Sequence, residues 1–382
     1  MWKKLGSLVQ QPEGFKSFIP LHFPPQEFII LSPHQQGLYG EAMRLIGKLD
    51  GICQLLPDHA FFLYMFVCKE SACSAQIEGT QATMIDAIEA KILPSYAKAP
   101  DVEDIVHYTN AFDYALARLK EIPISIRFIL ELHEQLTRGA RSTHYPFPGE
   151  FRKTQNWIGG TSPSNAMFVP PPSCEIPSAM GDLENFIHAK DENIPPLIKA
   201  ALLHAQFETI HPFIDGNGRT GRLLISIFLW DQRLLSFPLL YLSSFFKKNK
   251  DVYWERLHGY HANPSRMEQW IEFFLEGVVF TATSSIAAAS KIIQLHEQDM
   301  TKLHGLGKTA ASSAVRVLRE LYKQPIVDVA KIQEWVKAKS RGGAQNIIDR
   351  LIELDILKNR YPKKAYGRTY EYYHYLKIFQ EE

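Results

Sequence analysis

Twelve consecutive residues bring together the groups that transfer chemistry on a phosphate needs: His211-Pro212-Phe213-Ile214-Asp215-Gly216-Asn217-Gly218-Arg219-Thr220-Gly221-Arg222. A histidine titrates near neutral pH and can take the proton from an attacking hydroxyl. Asp215 is a hard oxygen ligand suited to Mg²⁺, or equally to Mn²⁺, alongside phosphate oxygens. Gly216 and Gly218 let the backbone adopt φ > 0 and come close to a ligand. A tight turn that opens into a helix aims unpaired N–H groups and the positive end of the helix dipole at one place. Arg219 and Arg222, three apart, share one face of that helix. Taken singly, each piece is ordinary: a His at a helix end is usually structural, Asp-Gly-Asn-Gly is usually a turn, and two arginines usually form a solvated face. Their conjunction points to a polyphosphate cradle beside a general base.

A second set lies far upstream, in Ser74-Ala75-Gln76-Ile77-Glu78-Gly79. Apolar spacing predicts a helix from about Pro57 to Ile77, stopped by Gly79 as a C′ residue. Glu78 then sits at a helix C-terminus, where the dipole disfavours an anion, so its carboxylate calls for a cationic partner. Ser74 is one turn earlier on the same face. A solvated Glu beside a C-cap glycine is the plain alternative.

The elements that must position these residues are mostly helical. Ser32-Pro33 reads as cap and first residue of a helix. Further helical patterns cover about Val102–Lys120, Ser125–Thr137, Ser178–Ala189, Pro195–Thr209, Gly218–Leu234, Asp251–Tyr260 and Met267–Leu295. Between Gly139 and Pro172 the pattern becomes loop and β-hairpin. The stretch before Pro33, with Phe15, Phe18, Phe23, Pro24 and Pro25, reads as an extended strap on the core. After about Gly305 come helices at Ala310–Lys323, Val327–Ala338 and Gly342–Leu354, then a β-like segment from Tyr366 to Ile378, the order of a winged helix. The Gly305–Lys308 stretch reads as its hinge. The expected fold is therefore mainly α, in three parts: residues 1–100, a core over 101–300 and a tail over 301–382.

Composition excludes a polyelectrolyte, because the 382 residues carry a formal net charge of +1. The charge is uneven: from Thr301 onward sixteen Lys and Arg face nine Asp and Glu. That basic excess, with Ser340–Asn346 opening the third tail helix and Lys363 and Lys364 at a turn, fits either DNA binding or a protein-docking module. Cys53, Cys68, Cys73 and Cys174 form no CxxC pair and read as free thiols of a reducing cytoplasm. No apolar h-region follows Met1-Trp2-Lys3-Lys4, so no signal peptide is expected. The longest apolar run, Leu223 to Phe246, is broken by Asp231, Arg233 and Pro238, which argues against a membrane span.

The twelve-residue segment resembles the Fic family motif HPFx[D/E]GNGRxxR at every fixed position. Phe147–Arg152, Gln155–Gly160 and Phe168–Pro171 are similar to the flap region of that family, and Ser74–Gly79 is similar to its inhibitory pattern [S/T]xxxE[G/N]. The resemblance extends over nearly the whole chain and implies a helical Fic core with a short β-hairpin flap, followed by a winged-helix domain. It implies a protein adenylyltransferase that moves AMP from ATP to a Ser, Thr or Tyr hydroxyl. His211 would be the base, and Asp215 would hold Mg²⁺. Gly216, Asn217, Gly218, Arg219, Thr220, Gly221 and Arg222 would hold the phosphates, Arg222 the outermost one. Tyr253 and Trp254 stand where the family often places aromatics near adenosine; core packing is the alternative for both. The flap, with Gly160 and Phe168, would pin the target by strand addition. Glu78, with Ser74 and Gly79, would pair with Arg222 and act as a brake, or would align water to remove AMP. Homodimers are frequent in the family. Doc-like kinases depart from the GNGR pattern kept at Gly216–Arg219, whereas choline-phosphate or UMP transfer stays compatible with the motif. A DNA-binding regulator that only senses nucleotide through its Fic-like part is the alternative of another class.

Overall fold

The computed structural model describes residues 5–24, 31–56, 59–92, 100–139, 147–189, 194–363 and 367–380. At its centre is α7 (Pro196–Ile210), buried at every position from Leu197 to Ile210. A helix enclosed on all sides needs no polar face, and most of its few polar groups find partners within the fold, though His204 Nδ1 and Glu208 Oε1 accept or donate no hydrogen bond among the described residues. Lys199 Nζ donates to the carbonyls of Ile187 and Ala189 at 2.9 and 2.8 Å, closing the C-terminus of the neighbouring α6 (Ile176–His188). Around α7 lie α6, α8 (Asn217–Asp231), α10 (Lys250–Gly259) and α11 (Pro264–His304).

The N-terminal part is built on local signals. Ser32 and Gln35 form a reciprocal capping box for α1 (Pro33–Cys53), with Pro33 at the first helical position. α1 lies along α11, and Gln35 Nε2 donates to the Glu268 carbonyl at 3.0 Å. α2 (His59–Ile77) packs on α3 (Met84–Ile92), α4 (Pro100–Arg118) and α9 (Ser243–Lys248). α5 (Ile126–Thr137), capped by Ser125, packs on α4. Neither α3 nor α9 was expected, being too short to show a full amphipathic period.

Two expectations for irregular chain are corrected. The extended strap is a hairpin, β1 (Gly6–Gln10) antiparallel to β2 (Lys16–Pro20), with Gly6 opposite Pro20. Pro25 lies outside the described residues. The flap is less regular than a hairpin: Ile158 and Phe168 form an isolated antiparallel bridge. β2 reaches this bridge, since Phe18 N–H donates to the Val169 carbonyl at 2.9 Å and the Phe18 ring packs beside Phe168.

The 41-residue α11 is long and apolar enough to cross a membrane by length and composition, with 56% of the relevant window buried inside the fold. Trp270, Phe274, Leu275, Val278 and Ala282 on it are fully buried. The tail follows as α12 (Lys308–Lys323), β3 (Ile326–Asp328), α13 (Val329–Val336), α14 (Arg341–Glu353), β4 (Lys358–Asn359), β5 (Thr369–Glu371) and α15 (Tyr373–Gln380). Its antiparallel sheet has the order β3-β5-β4. The β-like segment Tyr366–Ile378, whose first residue lies outside the described residues, is thus strand at Thr369–Glu371 and helix from Tyr373 onward. Its aromatics pack inward at helical spacing: Tyr375, Leu376 and Phe379 are buried, Tyr375 lies edge-on to Tyr322, and Phe379 meets Phe66 of α2. The tail is held to the rest by Tyr372 Oη donating to Asp299 at 2.7 Å and by an ion pair between Arg360 and Glu89 of α3. The expected hinge is the short link between α11 and α12, where Gly305 N–H donates to the Lys302 carbonyl.

Candidate active site

α7 ends on His211, which takes left-handed backbone angles, φ 49° and ψ 59°. That conformation is uncommon for a side-chain-bearing residue, and neighbouring groups hold it. The His211 carbonyl accepts from Arg152 Nε at 2.9 Å and Asn156 Nδ2 at 3.4 Å. Arg152 also donates to the Pro171 carbonyl, and its backbone N–H to the Pro212 carbonyl. Burial pushes the pKa of this guanidinium down to about 10. Asn217 closes the turn from the other end: its Oδ1 accepts from Phe213 N–H and its Nδ2 donates to the Phe213 carbonyl, both at 2.9 Å. Asn217→Ala would leave buried backbone groups short of partners, at a cost of about 2 kcal/mol. Chemical denaturation should show this as a lower midpoint with an unchanged slope.

His133, on α5, was not singled out from the sequence. Its Nδ1 accepts from Gly149 N–H at 2.9 Å, so in the neutral ring Nε2 is the donor to the Asp215 carbonyl, also at 2.9 Å. The ring lies flat on Phe213, 3.7 Å between centroids. Its only sequence signal was a histidine on the buried face of an amphipathic helix. Gly216 has φ 79°, and a Cβ there would sit 3.1 Å from Thr137 Cγ2 and 3.3 Å from His133 Nε2. Burial lowers the His133 pKa to about 4. An unfolded histidine titrates near 6.5, so between those values the unfolded chain binds a proton that the folded chain does not. Stability is then full above about pH 6.5 and falls as pH drops toward 4. His204 and His261, also lowered to about 4 by burial, add to the slope. Urea midpoints measured from pH 7 to 4.5 should show this fall, shallower by about one proton in His133→Gln.

These supports frame a pocket of about 400 Å³, into which His211, Asp215, Gly216, Asn217, Gly218, Arg219 and Arg222 open. No side chain caps the first turn of α8, whose N-cap is Gly216. Tyr253 and Trp254 form one wall, and Trp157, Gly159 and Met167 the lip. Tyr253 is also a core residue: its Oη is 2.8 Å from His204 Nε2 and its ring stacks on Phe246. Trp254 is partly exposed, with Lys250 Nζ 4.5 Å from its ring centroid.

Four expected contact residues stand elsewhere. Thr220 is fully buried and donates to the Gly216 carbonyl at 2.8 Å. Gly221 faces α7, where a Cβ would come within 2.6 Å of Glu208 Oε1 and 3.0 Å of His204 Nδ1. The 100° step of a helix turns both from the pocket while Arg219 and Arg222 face it. In the flap, Phe168 is buried against Phe18 and His261, because alternation along the bridge sends Met167 outward and Phe168 inward. Gly160, φ 70°, belongs to a turn in which Asn165 Oδ1 accepts from the N–H groups of Thr161 and Ser162.

The two arginines are in different states. Arg219 lies between Asp104 and Asp215, 3.3 Å from a carboxylate oxygen of each. Arg222 donates from Nε to Ser74 Oγ at 2.9 Å, and from Nη2 to the Ser74 carbonyl at 3.0 Å and Glu78 Oε1 at 2.7 Å. Burial opposes its charge most strongly, but Glu78, Tyr253 and Glu208 together outweigh that and raise its pKa. Gly79 has φ 99°, as a C′ residue should, and a Cβ on Gly218 would lie 2.4 Å from Glu78 Oε1. The resemblance of Ser74–Gly79 to an inhibitory pattern therefore anticipated the Glu78–Arg222 contact, while the bonds from Arg222 to Ser74, 148 residues away, were not foreseen. Among the described residues no cluster of three or more His, Cys, Asp or Glu side chains could cage a metal. Asp215, which lines the pocket together with the carboxylates of Glu78 and Glu208 and has one oxygen on Arg219, fits Mg²⁺ held mainly by phosphate oxygens and water.

A helical core that presents a histidine and a glycine-rich turn between two packed helices is the Fic-type domain. A model of the Fic/DOC family matches residues 123–229, and a model of the Fic/DOC family N-terminal region matches residues 37–117. The stretch that these two models match, about half of the chain, is similar to the Fic/DOC family. It is 32% identical to the protein adenylyltransferase Fic of Drosophila grimshawi over 194 residues, 50% of this chain and 37% of that protein. It is also 32% identical to an Aquifex aeolicus protein named "Probable protein adenylyltransferase aq_aa38", over 49% of this chain and 54% of that one. The matches thus span little more than half of these relatives at most. The crystal structure of a Fic family protein from Desulfovibrio desulfuricans superposes over 91% of this chain and 98% of its own, with a TM-score of 0.56 at 18% identity. A Fic domain containing signaling protein from Bacteroides thetaiotaomicron covers 67% of this chain, with a TM-score of 0.53 at 22% identity. Both show the shared fold.

Proposed function

We propose that this protein is an adenylyltransferase that moves AMP from ATP to a Ser, Thr or Tyr hydroxyl of a protein, itself included. The observation that carries the reading is one pocket where His211, Asp215, the uncapped start of α8 and Arg222 converge. His211 Nδ1 faces Glu208, 3.3 Å from its carbonyl and 3.5 Å from Oε2, which leaves Nε2 as the nitrogen that takes a proton. The hydroxyl oxygen bonds to the α-phosphorus, the bond to pyrophosphate breaks, and the hydroxyl proton passes to His211. The N–H groups at the start of α8 hold phosphate oxygens, and Arg222 takes the outermost phosphate once released from Glu78. Mg²⁺ at Asp215 would neutralise charge on the phosphates. The names of the curated relatives support this donor and reaction.

In this reading the Glu78–Arg222 pair is a brake, and the same Glu78 serves the reverse removal of AMP if it aligns water. The exposed Met167 and Trp157 at the lip would receive a target segment. Residues 301–382 would be a winged-helix unit after the core, supported by its three helices and the sheet order β3-β5-β4. Duplex DNA would meet the exposed start of α14 and Lys363; Lys364 lies outside the described residues. A cytoplasmic setting and a homodimer complete the reading.

The test is incubation with Mg²⁺ and ATP labelled at either the α- or the γ-phosphate. Label on protein from α alone is the expected result. Label from γ alone would make it a kinase, and ATP binding without label would favour a nucleotide sensor.

A further inference from the structure

A second cavity, of about 630 Å³, lies behind the helix that carries Glu78. That volume is typical of small-molecule sites. α2 contributes Lys69, Ala72, Cys73 and Gln76, which recur three and four apart and so share one face. Ser74 and Glu78, four apart, occupy the opposite face and engage Arg222. The two cavities therefore flank one helix.

The chemistry of the walls is selective. Lys69 from α2 is joined by Lys247 and Lys248 from the last turn of α9, and no carboxylate is among the described lining residues. Met84 and Ile85 of α3, Phe280 of α11 and Phe379 of α15 supply an apolar side. Lys248 Nζ sits 4.9 Å from the Phe280 ring centroid, so the cationic and aromatic walls adjoin. Three ammonium groups against an apolar wall complement a ligand with a negative head and a hydrophobic body.

We propose that this cavity binds a small organic anion, with a phosphate or carboxylate on Lys69, Lys247 and Lys248 and an aromatic or aliphatic body against Phe280 and Phe379.

The probe is 8-anilinonaphthalene-1-sulfonate, an aromatic anion, titrated into the full chain without nucleotide, because ATP carries a phosphate head and an aromatic body of its own and would compete for the cavity. Neutral N-phenyl-1-naphthylamine is the comparison. One saturable site per chain is expected, about tenfold weaker in Lys247→Gln/Lys248→Gln and about tenfold weaker for the neutral probe. Ile85→Trp, which fills the cavity without altering its charge, should also abolish binding. Displacement by phenyl phosphate or by phenylacetate would support the site and identify its preferred head group. Equal binding by wild type and the lysine variant, equal binding of the neutral probe, or displacement by neither anion would overturn the proposal. The readout is binding alone, so such a failure would leave the proposed AMP transfer standing.

Discussion

On the proposed reaction, replacing His211 with Ala should lower AMP transfer by about 10²- to 10⁴-fold, the usual contribution of a positioned general base. ATP affinity should change little, because the groups expected to hold its phosphates are backbone N–H groups of α8 and Arg222, on separate elements from the imidazole. One complication has a structural origin: the left-handed backbone at position 211 costs Ala about 1 kcal/mol or more. Asn tolerates that region better, so His211→Asn separates loss of the base from loss of the turn. Both variants should lack transfer, and Asn should retain more of the wild-type melting temperature. Transfer that survives in His211→Asn at more than about a tenth of the wild-type rate would remove the imidazole from the mechanism.

If Glu78 is the proposed brake, replacing it with Gly should raise AMP transfer by on the order of tenfold or more, corresponding to about 1.4 kcal/mol of released inhibition. Arg222 is almost fully buried, and Glu78 is its carboxylate partner at 2.7 Å. The Glu78 side chain is 43% exposed, so water weakens the pair and the inhibition is one that a ligand can overcome. Without Glu78, Arg222 keeps both bonds to Ser74 and stays positioned at the pocket. The gain should appear in the rate of α-label incorporation at saturating ATP. Glu78→Gln, which keeps the shape and loses the charge, should give an intermediate rate. An unchanged rate in Glu78→Gly would mean that the pair is structural only.

How much of this was legible beforehand follows the range of the interactions. Ser32 and Ser125 mark helix starts because a cap bonds to an N–H three residues on. The turn from His211 to Arg222 is legible for a related reason: Gly216 supplies its positive φ and Asn217 closes it on Phe213, all within a few residues. The Glu78–Arg222 contact spans 144 residues and was anticipated only through a resemblance. The partners that hold the turn were not legible. His133, Arg152 and Asn156 come from α5 and the flap, and nothing in their own neighbourhoods marks them as supports. The same limit explains Thr220 and Gly221, which the motif includes but the helix turns inward, and α15, whose aromatics suited a strand although Tyr375 packs on Tyr322 and Phe379 on Phe66. By itself the sequence determined the longer helices, the turn and the identity of the reacting groups, because these rest on local backbone preferences and side-chain chemistry. Tertiary structure alone decided which groups meet, which way each helix face turns and where cavities remain, because close packing sets those through contacts between residues far apart in the chain.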